Sequence, residues 1–153
     1  MPRRCQPSAG RVVVATAASV AGSLAADALL VVIGEHVFPA TRGYVHFRFS
    51  DYARLTVIDV IIACAAWPVV TRVTLAPRWL FFRLVILVTL VLLLPDLYFL
   101  YRGQPPRAVA VLMVMHLAMA LVTYNLLVHV APARPGLRAP APWGQRRDAN
   151  AAG

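Results

Sequence analysis

The sequence predicts an all-α protein, a polytopic transmembrane four-helix bundle with both termini in the cytoplasm and a disordered C-terminal tail. Three observations predict this fold class. The 153 residues are 60% hydrophobic and only 14% charged, with a mean hydropathy of +0.70. Soluble domains are about 45–50% apolar, so composition excludes a soluble domain. Four apolar segments approach the roughly 20 residues that a helix needs to cross a bilayer, and proline-containing links separate the last three.

These segments define the organisation of the chain. We predict an N-terminal tail at 1–11, a transmembrane domain at 12–130 and a C-terminal tail at 131–153. The helices of the domain are expected at about 12–33, 55–73, 79–100 and 108–130. The last tail is rich in proline, alanine and arginine, a composition that cannot bury a core and predicts disorder.

The first segment has a second interpretation as a secretory signal peptide. Arg3, Arg4 and Arg11 precede its apolar run, and small residues such as Ser23 and Ala25 resemble a cleavage site. The apolar run continues beyond that site to Ile33. Its length therefore favours a full crossing.

The distribution of arginine predicts the orientation. All 15 basic residues are arginines. Ten lie in or beside the two tails and the second connection, and five lie around the first and third connections. Because cytoplasmic flanks carry the excess of positive charge, both termini are predicted to be cytoplasmic in a multi-pass membrane protein.

Small residues give the first helix a packing surface. Ala15, Ser19 and Ser23 recur every four residues, and so do Ala18, Gly22 and Ala26. Small side chains let helices approach closely in lipid, where packing rather than the hydrophobic effect drives association. We expect this surface to pack inside the monomer, and contact with a second copy is the alternative.

Four ionisable side chains fall within the predicted spans: Asp27, Asp59, Asp96 and His116. Each costs roughly 3 kcal/mol at membrane depth unless it has a partner or a cavity. At 1.5 Å per residue, all four lie toward the side of the first connection, in the predicted outer half of the bilayer. We expect them to converge on a polar cavity that handles protons or binds a polar ligand, with Arg54 or Arg102 as counter-ions.

Ordinary structural roles compete with that hypothesis. Asp59 and Asp96 lie near predicted boundaries, where they could be interfacial residues paired with an arginine. For His116, a neutral imidazole that donates to a helix backbone or to a neighbouring Thr or Tyr is expected ahead of a metal ligand. Asn125 is expected to form an interhelical hydrogen bond, and bends are expected at Pro68 and Pro95.

The sequence predicts no metal and no cofactor. Cys5 lies in the N-terminal tail and Cys64 in the middle of the second span, so the two are too far apart for a disulfide. No HExxH, Walker, GxGxxG or GxSxG motif occurs. The arginine tails suit anionic lipid headgroups, whereas no folded basic surface is available for nucleic acid.

The last three spans resemble a known kind of protein. The segments LTVIDVIIACAAWPVV, LLLPDLYFL and VLMVMHLAMALVTYNLLVH, with Met115 and His116 adjacent early in the fourth span, are similar to small four-helix integral membrane proteins of actinobacteria. The resemblance implies the four-helix plan and a place in the plasma membrane. That family has no established activity, so the resemblance implies no catalytic residue.

Three functions fit these features. The first is a non-enzymatic accessory or binding protein whose polar cavity holds a small molecule, a lipid or a protein partner. The second is a small proton- or cation-coupled transporter. The third is a membrane enzyme that acts on a lipid or terpenoid through an acid/base pair such as Asp27 and His116. The residues favour the first, with membrane lipids, a protein partner or a second copy as partners.

Overall fold

Four long helices make up most of the protein. The computed structural model describes residues 7–74 and 76–132. Helix α1 spans Ala9–Val37, α2 spans Phe49–Val73, α3 spans Pro77–Tyr101 and α4 spans Pro106–Val130. Each is long and apolar enough to cross a membrane. The all-α fold class and the four long apolar helices are therefore confirmed, and they indicate a multi-pass membrane protein.

Parts of both predicted tails lie outside the described residues. These parts are 1–6, which include Cys5, and 133–153, which include the C-terminal arginines. The predicted disorder of the C-terminal tail thus stays a prediction.

Two helices are longer than hydropathy predicts. α1 continues to Val37 rather than ending near residue 33, and α2 begins at Phe49 rather than near residue 55. Hydropathy marks the part of a helix that lies in hydrocarbon, whereas backbone hydrogen bonding continues into polar sequence until something stops it. The first connection is consequently short, 38–48, and consists of two single-turn 3₁₀ helices at Pro39–Thr41 and Val45–Phe47 around Gly43 (φ +79°).

Prolines mark the starts of α3 and α4. Pro77 and Pro106 are the first residues of these helices, where the missing N–H costs no intrahelical hydrogen bond. Gly103, with φ +77°, makes the turn between them. Pro68 lies inside α2 and Pro95 lies inside α3, so neither proline ends its helix.

The helices pack side by side, with two distinct ends. We call the end that carries the 38–48 connection and the α3–α4 turn the loop end, and the opposite end the terminal end. The most extensive contact joins α1 to α4, followed by α3 to α4 and α1 to α2. Contact between α2 and α3 is much smaller. The bundle is therefore tight on the α1–α4 side and loose between α2 and α3.

Small residues of α1 make the tight contact. Ala15, Ser19 and Ser23 are buried. Gly22 and Gly34 face α4, where an added Cβ would lie 3.1 Å from Val122 Cγ1 and 2.9 Å from Val111 Cγ2, respectively. The small-residue surface thus packs inside the monomer, and the close approach depends on having no side chain at position 34.

Replacing Gly34 by alanine is expected to destabilise the bundle. A Cβ at 2.9 Å forces Val111 to move, and a β-branched side chain in a helix has almost no other rotamer available. Overpacking of this kind costs about 1–3 kcal/mol of unfolding free energy, which outweighs the better helix propensity of alanine. The measurement is reversible unfolding in mild detergent.

Gly10 provides the matched control. It lies in the same helix with nothing within 4 Å of its added Cβ, so Gly10→Ala should leave stability unchanged or slightly higher. Adding Val111→Ala to Gly34→Ala should restore part of the loss. Equal stability of Gly34→Ala and Gly10→Ala would show that the helices do not approach as described.

An apolar core fills the terminal end. Trp67 of α2 is fully buried, and its ring meets Phe81 edge to face at a centroid distance of 4.9 Å. Its indole Nε1 donates to the carbonyl oxygen of Ala131 at 2.9 Å. This bond ties α2 to the residue that caps α4, so the core is fixed across non-neighbouring segments of the chain.

Candidate functional site

A cavity of about 370 Å³ lies inside the bundle near the loop end. All four helices and the first connection contribute to its walls. The lining residues that carry polar groups are Asp27, His46, Asp51, Tyr52, Thr56, Asp59, Asp96 and His116. The structure therefore brings Asp27, Asp59, Asp96 and His116 to one cavity. We call it the polar cavity.

Helix geometry explains the shared level of these side chains. Asp27 and His116 lie ten residues from the loop ends of α1 and α4, about 15 Å at 1.5 Å per residue. Asp59 lies ten residues inside α2, deeper than the single turn expected, because α2 begins at Phe49. Asp96 lies five residues from the end of α3. All four thus belong to the half of the bundle nearest the loop end.

Asp27 is held by a neighbouring helix. Only 1% of it is exposed, and its Oδ2 accepts a hydrogen bond of 2.6 Å from Thr56 Oγ1 of α2. Its Oδ1 is buried and has no hydrogen-bond partner among the described residues. An unpaired buried carboxylate oxygen costs free energy, so Asp27 keeps an unfilled acceptor at the cavity wall.

Asp96 and His116 form the closest pair of ionisable groups. His116 Nδ1 lies 3.1 Å from Asp96 Oδ2 and 3.0 Å from the carbonyl oxygen of Leu112, one turn earlier in α4. A carbonyl can only accept, so Nδ1 carries the proton and donates to it. Asp96 is only 3% exposed. Its Oδ2 lies at ion-pair distance from His116 but accepts no hydrogen bond from the described residues.

Rings from the first connection and α3 cover the loop end of the cavity. His46 stacks on Phe99 at a centroid distance of 4.9 Å, and Tyr44 meets both His46 and Phe47 at 5.3 Å. Burial raises the pKa of the Tyr44 phenol, and the nearby charge of Asp96 raises it further. Tyr44 therefore remains a neutral hydroxyl close to the carboxylates.

The two arginines expected as counter-ions lie elsewhere. Arg54 and Arg102 are exposed and do not line the polar cavity. The guanidinium of Arg102 lies instead 5.9 Å from the ring centroid of Tyr98. Within the described residues, neither arginine forms an ion pair with a carboxylate of the cavity, and the basic partner of Asp96 is His116.

Several cavity residues were not expected from the sequence. Thr56 lies three residues before Asp59, hence on the same helix face, and this spacing was the available signal. Asp51 and Tyr52 belong to the part of α2 that hydropathy missed. His46 lies in a connection without periodicity, so no pattern could place it. Asn125 also departs from expectation: it is exposed and donates to Leu121 in its own helix, so the predicted interhelical hydrogen bond is wrong.

A second cavity, of about 230 Å³, adjoins the first. The two share Asp59, Leu92, His116 and Met119 in their walls. The second continues between α2, α3 and α4 toward the terminal end, and its other lining residues are apolar except for Thr89 and Thr123. We call it the apolar cleft. Its position follows from the weak contact between α2 and α3.

The chemistry of the polar cavity is that of hydrogen-bond acceptors. Of the described residues, four aspartates and two histidines line it, and no arginine does. No three His, Cys, Asp or Glu side chains of the described residues lie close enough to hold a metal ion. The arrangement can accept protons and hydrogen bonds, and it can hold a positively charged group.

No protein family, no curated protein and no solved structure matches this chain. The resemblance of the last three helices to actinobacterial four-helix membrane proteins thus stays a prediction.

Proposed function

We propose that this protein is a non-enzymatic protein of the plasma membrane that binds a small molecule or a lipid in the polar cavity. In this proposal both termini are cytoplasmic, as the arginine distribution predicts. The loop end then faces outward, and the cavity lies in the outer half of the bilayer.

One observation carries the proposal. Asp27 Oδ1 and Asp96 Oδ2, on different helices, are buried at the wall of one cavity and accept no hydrogen bond from the described residues, although His116 Nδ1 lies 3.1 Å from Asp96 Oδ2. Buried polar groups are almost always paired, and an exception calls for a bound group or a functional reason. A ligand that donates hydrogen bonds to both carboxylates would supply the missing partners.

The terminal end favours binding over transport. Its hydrophobic cluster includes Trp67, Phe81 and Leu127. The buried polar side chains of this half, Ser19, Thr71 and Thr123, are hydroxyls and carry no charge. A proton or cation that crosses the membrane needs polar stations along its path. In the described residues, the titratable groups of the cavity end at the level of Asp59 and His116, which suits a site that is open toward one side.

The enzyme hypothesis uses Asp27 and His116 as the acid/base pair, but the closest pair of ionisable groups in the cavity is Asp96 and His116. His116 contacts Asp96, whereas Asp27 is hydrogen-bonded to Thr56. An acid/base mechanism through Asp27 and His116 thus has less support than ligand binding.

Native mass spectrometry of the full chain in mild detergent tests the proposal. The wild-type protein is expected to retain a non-covalent adduct. The double variant Asp27→Asn and Asp96→Asn should lose at least about tenfold in occupancy, because it removes both unfilled carboxylate acceptors.

Glu35→Gln is the matched control. It also removes one carboxylate from α1, but position 35 does not line the polar cavity. This variant should keep the adduct. Wild-type protein that carries no adduct from its native membrane, or an adduct equally retained by the double aspartate variant, would contradict the proposal.

A further inference from the structure

The polar cavity and the apolar cleft adjoin each other and differ in chemistry. Asp59, Leu92, His116 and Met119 belong to the walls of both. On the loop-end side of this junction the walls carry carboxylates and imidazoles, and on the other side they carry hydrocarbon. A molecule that fills both must be polar at one end and apolar along its length.

The cleft has the dimensions of a hydrocarbon chain. It extends along α3 from Leu92 to Phe81, about 16 Å at 1.5 Å per residue, and along α4 from His116 to Thr123, about 10 Å. The hydroxyl of Thr89 donates to the carbonyl oxygen of Val85 within its own helix, so it offers no free donor to an occupant. The Thr123 hydroxyl, at the far end, is buried without a hydrogen-bond partner among the described residues. The rest of the wall is apolar over this length, which suits an alkyl chain.

The cleft is also accessible from the side of the bundle. Ile62 of α2 and Val88 of α3 line it and are 62% and 46% exposed. Both helices are membrane spans by length and composition, so these side chains face the hydrocarbon of the bilayer. Because α2 and α3 make little contact, a chain dissolved in the membrane can enter between them.

Charge determines which headgroup fits. The polar cavity is lined by Asp27, Asp51, Asp59 and Asp96, and no arginine of residues 7–74 and 76–132 lines the cavity or the cleft. A phosphate or carboxylate headgroup would face four carboxyl groups at low dielectric, and the basic side chains in the described walls are two imidazoles, one of them already beside Asp96. An ammonium group has three N–H donors and no acceptor, which complements the unfilled oxygens of Asp27 and Asp96.

We propose that the occupant is a long-chain amine, with its protonated amino group among the aspartates of the polar cavity and its hydrocarbon chain in the apolar cleft. This proposal rests on the proposed function, because it names the class of ligand for the same cavity. It adds the chain-binding cleft, the route of entry and the sign of the headgroup.

Binding of hexadecylamine to the full chain in lipid nanodiscs tests the proposal. Hexadecanoic acid and hexadecanol are the probes that change the headgroup, and propylamine is the probe that lacks the chain. Hexadecylamine should bind, and the acid and the alcohol should bind at least about tenfold more weakly. Equal binding of the acid or the alcohol would overturn the amine headgroup.

Replacing either of two neighbouring alanines of α2 by phenylalanine tests the position of the alkyl chain. Ala66 lines the cleft, whereas Ala65 is exposed on the outside of the bundle. Ala66→Phe fills the cleft and should weaken hexadecylamine binding about tenfold while propylamine binding is unchanged, and Ala65→Phe should change neither. Equal effects of the two variants on hexadecylamine would overturn the assignment of the cleft.

A photoreactive long-chain amine with a diazirine at its chain terminus gives a readout on the unmodified protein, so the proposal stays testable if Ala66→Phe does not fold. Crosslinks to the cleft side of α2, α3 and α4, such as Ala66, Phe81 and Leu84, are expected. Crosslinks only to outward-facing residues would overturn the proposal.

The two proposals fail in different ways. If a different copurifying molecule is lost in the double variant Asp27→Asn and Asp96→Asn but kept in Ala66→Phe, the polar cavity binds a ligand and the long-chain amine is wrong. If no molecule depends on either aspartate, the proposed function itself is wrong.

Discussion

Trp67→Ala is expected to lower the free energy of unfolding by about 3–5 kcal/mol, the loss typical of truncating a fully buried aromatic residue. Trp67 has no exposed surface, packs on Phe81 and bonds to the carbonyl of Ala131. Its removal leaves a void between α2 and α3 and an unpaired carbonyl at the end of α4. In a membrane bundle the lost packing is a direct loss of helix association.

Trp79→Ala provides the comparison. Trp79 is 55% exposed at the start of α3, where the Arg83 guanidinium lies 3.6 Å from its ring centroid. Its truncation should cost no more than about 1 kcal/mol. Unfolding in mild detergent, followed by circular dichroism, measures both. Similar losses for the two variants would contradict the buried tryptophan core. Trp67→Phe should retain most of the packing and lose mainly the hydrogen bond, about 1 kcal/mol.

His116→Leu is expected to lower the free energy of unfolding by about 3 kcal/mol, whereas Asp96→Leu combined with His116→Leu should lie within about 1 kcal/mol of wild type. Removing only the imidazole leaves the buried carboxylate of Asp96 without its 3.1 Å neighbour. Removing both groups leaves two apolar side chains in an apolar bundle. A double-mutant cycle at constant pH in detergent measures this coupling.

His129→Leu separates that coupling from the loss of a histidine. His129 also donates from Nδ1 to a carbonyl one turn earlier in α4, at 2.8 Å, but it is exposed and forms no ion pair with a carboxylate of the described residues. It should therefore be close to neutral. Single and double substitutions that simply add would contradict the pairing of Asp96 with His116. The stable double leucine variant should also lose the ligand, since polar groups kept at a cost in stability are typical of functional sites.

The length of the apolar runs and the thickness of the bilayer account for what could be predicted. The apolar runs predicted four spans, and the number of crossings alone placed Asp27, Asp59, Asp96 and His116 toward one end. The partners of these residues could not be predicted. Thr56 bonds to Asp27 because α1 and α2 have a particular rotation about their axes, which depends on the packing of side chains from the whole bundle.

The connections were the least predictable part. Arg54 was expected to be near the carboxylates because it appeared to lie in a loop, but it is a residue of α2 and points away from the cavity. Hydropathy cannot place the start of a helix that extends beyond the hydrocarbon. The ring of His46 lines the polar cavity because the connection turns at Gly43, and the sequence alone does not predict the positive φ of that residue.

The glycine-mediated contact of α1 with α4 has a consequence for motion. Local opening is easiest where buried contacts are few, and α2 makes much less contact with α3 than α1 makes with α4. Fluctuations of the bundle should thus be concentrated between α2 and α3, while α1 and α4 stay packed together. Exchange of a bound molecule with the surrounding lipid would then require only α2 and α3 to separate, with the rest of the fold intact.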